Sequence, residues 1–352
     1  MAEEKPYTEA VSSGQYVKKT GLDGKYDNVR RFWEDAVTRL MLRRHLAHLV
    51  DEKKKNLKRL KVMDLGCGSG DGIDILMHTT AKDPGIYEFE INLIDDSLLD
   101  KYVGIDINDD LLAQAREHYG DNEKMSFQKA DFSEGLPFAD EAFDIYLTSY
   151  GTFSHNHDET TIKLLAEIAQ SADNGALVVM DWLGRYSYEW RDLWNESSDD
   201  ETFMDYRISY IYPPEERATA DIASFPLRLV CKKEAQGMIK KASELGGVEI
   251  KLLRLFDRSI FVGRHMETAE YNKYAKAIRT IVNSLLEPNC RTDLEGLTVD
   301  FVPLEGHDEI NEFFNKFSQC WNALVRHTVD MLASYPSGRI AGNFIEPCHL
   351  YA

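Results

Sequence analysis

The sequence lacks a close-spaced cysteine pair, a long apolar run and an excess of positive charge. Its five cysteines are scattered, without a CxxC pair, which argues against a disulfide framework or a cysteine-based zinc site and favours a reducing compartment. No apolar run reaches membrane-spanning length, and the polar N-terminus lacks the basic and apolar regions of a secretory signal. We therefore predict a cytoplasmic protein that does not cross a membrane.

The charge balance is strongly acidic. Asp and Glu number 60 against 41 Lys and Arg, which gives a formal net charge of -19. Such a field repels phosphate backbones and anionic lipid surfaces, so we predict neither nucleic acid nor a membrane as a partner. The one basic run, residues 52–61, is typical of a solvated helix end.

Short apolar runs alternate with helical patterns from Leu60 onwards. The runs at 60–66, 101–108, 125–132, 143–151 and 174–184 predict strands, and this alternation is typical of a parallel sheet with helices on both faces. After a helix at 232–247, two further strands at 248–258 and 259–265 are joined by a short turn and should pair antiparallel. We therefore predict an α/β fold: a Rossmann-like, seven-stranded, mostly parallel sheet with an antiparallel last strand.

Changes of pattern predict five regions. They are an N-terminal arm and amphipathic helix at 1–59, a core at 60–185, an insertion rich in aromatic residues and arginine at 186–230, the end of the core sheet at 231–265, and a C-terminal helical extension at 266–352. The insertion is unlike a plain linker, which would be rich in Gly, Ser and Pro. We expect it to form a lid over a substrate.

The stretch VMDLGCGSGDG at 62–72 suggests a nucleotide-binding loop, but its spacing excludes two familiar kinds. In a G-x-G-x-x-G dinucleotide fingerprint that starts at Gly66, the third glycine falls on Asp71, and later starting points fall on isoleucines. A P-loop needs Lys followed by Ser or Thr after its last glycine, and here Asp71 follows Gly70. A nicotinamide dinucleotide and a nucleoside triphosphate are therefore disfavoured.

The pattern that is present is D-x-G-x-G-x-G, with Asp64, Gly66, Gly68 and Gly70. The glycines let the backbone turn sharply and let a ligand lie against bare main chain. Acids near the turn suit a positively charged ligand such as a sulfonium. This loop and the strand order resemble the class I S-adenosylmethionine-dependent methyltransferases over roughly residues 60 to 265, so the resemblance implies S-adenosyl-L-methionine as the cofactor.

The resemblance extends to residues after the next three strands. Asp106 ends the second strand 42 residues after Asp64, and with Ile107 it matches the position where the family's acid accepts the ribose hydroxyls. Asp131 and Phe132 match the acid and the packing residue at the adenine. Ser149 begins the loop after the fourth strand, which in the family lies beneath the methionine part of the cofactor and faces the substrate.

Candidate catalytic residues come from this loop and from the start of the lid. They are His155 as a base or substrate ligand, and Tyr150, Tyr186 and Arg185. The alternative for His155 is a solvent-exposed helix cap, because Ser154, Asn156 or Asp158 can cap the next helix. A metal site from His155, His157 and Asp158 has only weak support from its spacing, so we predict no metal. In related enzymes the N-terminal arm closes over the cofactor, which brings in Tyr16, Tyr26 or Trp33.

Three functions are compatible with these patterns. The first is methyl transfer to N or O of a small molecule by in-line displacement, favoured by the lid and the C-terminal helices, in a protein that can be a homodimer. The second is a protein or peptide methyltransferase whose added segments dock the substrate. The third is a non-catalytic S-adenosylmethionine-binding partner of another enzyme.

Overall fold

A five-stranded parallel sheet forms the centre of the fold in the computed structural model, which describes residues 4–12, 14, 16, 21, 22, 24–82, 91–196 and 201–334. The strands are β1 Leu60–Leu65, β2 Leu99–Asp106, β3 Met125–Lys129, β4 Ile145–Leu147 and β5 Leu177–Val179. Their order is β3-β2-β1-β4-β5, and every pair is parallel. The order reverses between β1 and β4, and ligands of open α/β sheets bind at the strand carboxyl ends beside such a point.

Helices cover both faces of this sheet. The α-helices of the described ranges are α1 Glu4–Ser12, α2 Asp35–Lys55, α3 Asp71–Met77, α4 Asp109–Tyr119, α5 Asp158–Ser171, α6 Lys232–Gly246, α7 Arg264–Thr268, α8 Arg279–Ser284 and α9 Asp308–Ser334. Alternate residues of β1 point to opposite faces, as strand geometry requires. Val62 packs with residues of α2, α3 and α4, whereas Met63 packs with residues of α5 and α6. The predicted doubly covered α/β core is confirmed.

A second, small sheet joins the end of the predicted core to the region predicted as a lid. Its strands are β6 Leu183–Gly184, in the predicted core, and β7 Phe203–Arg207 and β8 Ser224–Val230, in the predicted lid. Their order is β6-β8-β7, with β6 parallel and β7 antiparallel to β8. Some aromatic residues of the predicted lid, such as Phe225, are buried where the strands of this small sheet pack.

The predicted sixth and seventh strands of the core are wrong. Residues 249–259 have no regular secondary structure, and Arg264 already begins α7. Ile250 and Leu252 pack against the core cluster, as alternate residues of a strand would. The backbone of this segment nevertheless bonds to side chains instead of forming a ladder with another strand. The Ile250 amide donates to Ser243 Oγ (3.2 Å), and the Arg258 carbonyl accepts from Trp33 Nε1 (2.9 Å).

Part of the predicted C-terminal helical extension is not helical. Residues 271–278, which precede α8, bond to the lid instead: Tyr271 Oη accepts from the Arg207 amide (2.9 Å) and Asn272 Nδ2 donates to the Tyr188 carbonyl (2.6 Å). The N-terminal arm contains α1, and the C-terminal extension contains the long helix α9. No helix of the described ranges is long and apolar enough to span a membrane.

Candidate cofactor and active site

The glycine loop connects β1 to α3 at the carboxyl edge of the sheet. Gly66, Gly68 and Gly70 all have positive φ, at 70°, 53° and 93°. Gly66 and Gly70 are also tightly packed, since a Cβ on them would lie 2.5 Å from Thr152 Cγ2 and 2.6 Å from the Tyr119 ring. A Cβ on Gly68 would meet no protein atom within 4 Å. The backbone at Gly68 therefore faces open space, where a ligand can lie against it.

Asp106 lies at the end of β2 and is bonded to this loop. Its Oδ2 accepts from the Gly68 amide and its Oδ1 accepts from the Asn108 amide, both at 2.9 Å. Burial raises the pKa of Asp106, and the backbone donors act against that rise. Each carboxylate oxygen has more than one acceptor direction, so Asp106 can still accept from two vicinal hydroxyls. The half-buried Ile107 follows it at the same edge.

Asp64 has a different position from the one that the loop pattern suggests. It is fully buried beneath the loop, accepts a hydrogen bond from Tyr102 Oη and faces Gly72 at the start of α3. Burial raises its pKa to about 7. Asp64 therefore supports the loop from below, and its contact with the cofactor stays a prediction.

The acid at the loop exit is neutralised as well. Arg30 Nη2 donates to Asp71 Oδ2 at 2.8 Å, and Tyr26 Oη bonds to the other oxygen and to Ser69 Oγ (2.9 Å). Arg30 belongs to a π-helical turn, Arg30–Glu34, a feature frequent at functional sites. The argument that Asp64 and Asp71 both present negative charge to a cationic ligand is therefore weakened. The role of Asp106 as acceptor for the ribose hydroxyls does not depend on that argument.

Two of the predicted cofactor residues take part mainly in local structure. Asp131 is exposed, and its Oδ1 accepts from the Ser133 amide (2.9 Å), so it caps a short turn. Phe132 is buried, with its ring edge-on to Phe153 at 6.4 Å between centroids. Both follow β3 at the same sheet edge as Asp106, and their contact with an adenine ring stays a prediction.

The loop after β4 is held in an unusual conformation. Ser149 is buried and its carbonyl accepts from Thr152 Oγ1 (2.7 Å). Tyr150 has a φ of 60°, uncommon for a residue other than glycine and typical of functional sites. Its hydroxyl donates to Asp35, and its ring lies between the guanidinium groups of Arg30 (3.1 Å) and Arg258 (4.4 Å). The loop is thus fastened to the N-terminal segment.

His155 lies where this loop meets both the N-terminal helix and the lid. Its Nε2 is 3.2 Å from the hydroxyl of Tyr7 in α1, and its ring stacks on Phe225 of β8 at 5.6 Å. It is near enough to Asp106 to counter part of the rise in the pKa of that carboxyl. His157, in contrast, is exposed and bonds to Glu201 (2.6 Å). Among the described residues no group of three or more His, Cys, Asp or Glu side chains is arranged to hold a metal ion.

The remaining catalytic candidates do not join this group. Arg185 is buried against α6, where it pairs with Glu234 at 3.3 Å and donates to the Glu196 carbonyl at 3.0 Å. Tyr186 packs edge-on to Trp194, at 6.2 Å between ring centroids. These contacts pack both residues beside or within the lid, and their catalytic roles stay predictions.

The sequence did not predict Tyr7, Arg30 or Phe225 as site residues. Of the three arm candidates, Tyr26 bonds to the glycine loop. Trp33 donates instead to the Arg258 carbonyl and packs near Trp321 of α9. The segment KYDNVRRFWED, with two arginines on a helix start, contains a detectable signal for Arg30. Tyr7 lies 148 residues before His155 in the sequence, and Phe225 lies 70 residues after it. No local pattern predicts contacts over such separations.

Comparison with known proteins agrees with this geometry. Residues 91–175, about a quarter of the 352 residues, match the family model described as a methyltransferase domain. A search of curated protein sequences found no match. Residues 91–175 therefore match a methyltransferase domain, and the sheet order agrees with the resemblance to class I S-adenosylmethionine-dependent methyltransferases.

Solved structures similar to this chain include three methyltransferases. The CcbJ methyltransferase from Streptomyces caelestis is 15% identical with a TM-score of 0.36, and the match covers 62% of this chain and 91% of that one. An S-adenosylmethionine-dependent methyltransferase from Clostridium acetobutylicum is 13% identical with a TM-score of 0.35, and the match covers 57% of this chain and 80% of that one. CalS10, an amino pentose methyltransferase from Micromonospora echinaspora, is 11% identical with a TM-score of 0.33, and the match covers 56% of this chain and 81% of that one. At these identities and scores the neighbours define neither the substrate nor the chemistry of this chain.

Proposed function

We propose that this protein transfers a methyl group from S-adenosylmethionine to a nitrogen or oxygen atom of a small molecule. The observation that carries the proposal is the open backbone at Gly68, bonded directly to Asp106 at the carboxyl edge of the sheet. A ligand with two vicinal hydroxyls and no phosphate fits this arrangement, because Asp106 accepts from hydroxyls and would repel a phosphate.

The cofactor-binding residues in this proposal follow the edge of the sheet. Asp106 accepts from the ribose, the loop backbone from Gly66 to Gly70 lies against the cofactor, and Asp131 and Phe132 lie on the adenine side. Ser149 and the loop after it lie on the side of the methyl group. Asp64 holds the loop from below.

Residues of three elements meet at His155. Tyr7 of α1 and Phe225 of β8 both touch His155, and their rings are 5.6 Å apart at their centroids. An acceptor bound beside His155 would lie next to a helix, a lid strand and a loop, an arrangement that suits a compact acceptor better than an extended polypeptide. This meeting of elements supports a small-molecule substrate and the lid role of residues 186–230.

The chain's own residues then have three tasks. S-adenosylmethionine, when bound, supplies a methyl group on a cationic sulfur. The leaving group is the neutral thioether, so its departure needs no acid. The fastened Tyr150 loop orients the acceptor, a contribution that can reach several kcal/mol, roughly 7–11 at best. His155 accepts the proton of an acceptor that is protonated at neutral pH. A cytoplasmic location and a homodimer remain predictions from the sequence.

Turnover with a labelled methyl donor tests the proposal. We expect trideuteromethyl S-adenosylmethionine to label small amines, phenols or alcohols in a mixed pool, with one S-adenosylhomocysteine formed per label, as read by mass spectrometry. Replacing His155 with phenylalanine should lower kcat by about 100-fold or more if it is the base, while S-adenosylhomocysteine affinity stays within twofold to threefold of wild type.

Other outcomes of this assay favour the alternatives. Label that appears in polypeptides of a cell extract, and in none of the small acceptors, would favour a protein methyltransferase. S-adenosylhomocysteine that binds without any turnover in either pool would favour the non-catalytic partner.

A further inference from the structure

Tyr150, in the loop after β4, is held by two cations. The guanidinium carbons of Arg30 and Arg258 lie 3.1 Å and 4.4 Å from the centre of its ring. An aromatic face attracts a cation at such distances, and more strongly where water is excluded. Arg30 is buried, with 2% of its surface exposed. The contact between Arg30 and Tyr150 is therefore shielded from solvent, and it should contribute to the conformation of this loop.

Arg30 also bonds to the exit of the glycine loop. Its Nη2 donates to Asp71 Oδ2 at 2.8 Å, and its Nε donates to Asp35 Oδ1 at 3.2 Å. Asp71 is the first residue of α3 and directly follows Gly70. Because one planar group makes both bonds and also lies on the Tyr150 ring, a shift of Asp71 moves the surface on which that ring packs.

Arg258 connects the same ring to the chain that enters the small sheet. Its Nη2 donates to Asp181, and its Nη1 donates to Thr38 of α2 at 3.2 Å. Asp181 lies between β5 and β6, and its carbonyl accepts from the Phe153 amide at 3.2 Å. The three stacked side chains, Arg30, Tyr150 and Arg258, therefore join the glycine loop, the loop after β4 and the end of β5.

The backbone of Tyr150 depends on these contacts. Its φ of 60° is in the left-handed region, and Gly151 follows with a φ of 81°. A residue with a Cβ adopts this conformation at a cost, so it persists only where the surroundings hold it. Here the surroundings are the two guanidinium groups and Asp35, which accepts from the Tyr150 hydroxyl. Loosening of the stack should therefore release the loop after β4.

We propose that Arg30 is a positioning residue that couples the glycine loop to the loop after β4 through Tyr150. The inference rests on the proposed function, because it assumes that a cofactor binds at the glycine loop. A ligand that lies against Gly68 restrains the loop and Asp71 with it. Arg30 then holds the Tyr150 ring, and the restraint extends through Arg258 to the end of β5.

Such coupling is reciprocal. The factor by which the ligand stabilises the stack must equal the factor by which the stack raises the affinity for the ligand. A residue that only supports the fold carries no such requirement. The two effects can therefore be measured separately and compared.

Amide hydrogen exchange with and without S-adenosylhomocysteine, read by mass spectrometry, measures the first effect. The reporting peptide is 255–262, which contains Arg258 and none of the proposed cofactor-binding residues. Calorimetric titration with S-adenosylhomocysteine measures the second effect.

The variants change one contact each. Arg30→Lys keeps a positive charge near Asp71 but loses the planar group. Tyr150→Leu removes the ring, and Tyr150→Phe keeps the ring but loses the bond to Asp35. The matched control is Arg31→Lys, since Arg31 is the next residue of the same π-helical turn and its side chain is exposed.

We expect S-adenosylhomocysteine to slow exchange in peptide 255–262 of the wild type by about 10-fold, within the usual range for coupled sites. In Arg30→Lys and Tyr150→Leu the slowing should fall to about twofold or less, while the ligand still protects the glycine loop. Their affinity for S-adenosylhomocysteine should fall by the factor of slowing that is lost. Tyr150→Phe should keep most of the slowing, because its ring still lies against both guanidinium groups, and Arg31→Lys should match wild type.

Equal slowing in peptide 255–262 of wild type, Arg30→Lys and Tyr150→Leu would overturn the coupling and leave Arg30 with a structural role alone. Wild-type protein that binds S-adenosylhomocysteine without any slowing in this peptide would overturn it too, whether or not the variants fold. Failure of S-adenosylhomocysteine to bind the wild type would count against the proposed function, and against this inference with it.

Discussion

Gly68→Ala should lower the affinity for S-adenosylhomocysteine by about 100-fold or more while the protein stays folded. A Cβ at Gly68 would project into the open space above the loop, where no protein atom lies within 4 Å. The methyl group would therefore meet the cofactor and nothing else. A 100-fold change in affinity represents roughly 2.7 kcal/mol of binding free energy. We expect the loss of close backbone approach and of the ordered loop to cost more than that. Isothermal titration calorimetry of the variant measures this loss.

A matched control separates the ligand clash from backbone strain. Gly247, which follows α6, has a φ of 65° against 53° at Gly68, and a Cβ there also meets no atom within 4 Å. Both alanine variants should lose about 1–2 kcal/mol of unfolding free energy from the left-handed conformation. Only Gly68→Ala should lose the cofactor. Equal cofactor affinity in the two variants would mean that the ligand does not lie over Gly68.

Asp106→Ala should reduce cofactor affinity by roughly 10- to 100-fold, or about 1–3 kcal/mol. The variant leaves two ribose hydroxyls unpaired in a partly buried site and removes the acceptor of the Gly68 amide. Asp106→Asn keeps one oxygen acceptor, so its loss should be smaller. Fluorescence or calorimetric titration with S-adenosylhomocysteine checks both values.

Asp109→Ala is the control for this experiment. Its carboxylate is exposed at the start of α4, where it pairs with Lys129 at 2.7 Å. Removal of a surface ion pair costs little, about 0–1 kcal/mol, and should leave cofactor affinity unchanged. Unchanged affinity in Asp106→Ala as well would show that the carboxyl end of β2 is not the ribose site.

The features that could be predicted from the sequence are those with local signals. The apolar runs around Leu60 and Tyr102, the helices between them and the turn at Gly66 each follow from a pattern of a few residues. The carboxyl ends of parallel strands meet at one edge, so Asp106 and Gly68 could be placed together although 38 residues separate them.

The features that could not be predicted depend on distant partners. The segment with Ile250 and Leu252 has a strand pattern and strand-like burial, yet its backbone bonds elsewhere. The loop motif predicts Asp64 as a cofactor residue. In the structure it is buried under the loop and accepts a hydrogen bond from Tyr102.

Calorimetric titration of the wild-type protein with S-adenosylhomocysteine and, separately, with NAD tests the central claim most directly. The open backbone at Gly68 beside Asp106, in a loop without the dinucleotide spacing, predicts micromolar binding of S-adenosylhomocysteine and no heat with NAD. Binding of NAD without any heat from S-adenosylhomocysteine would contradict the assignment of this site.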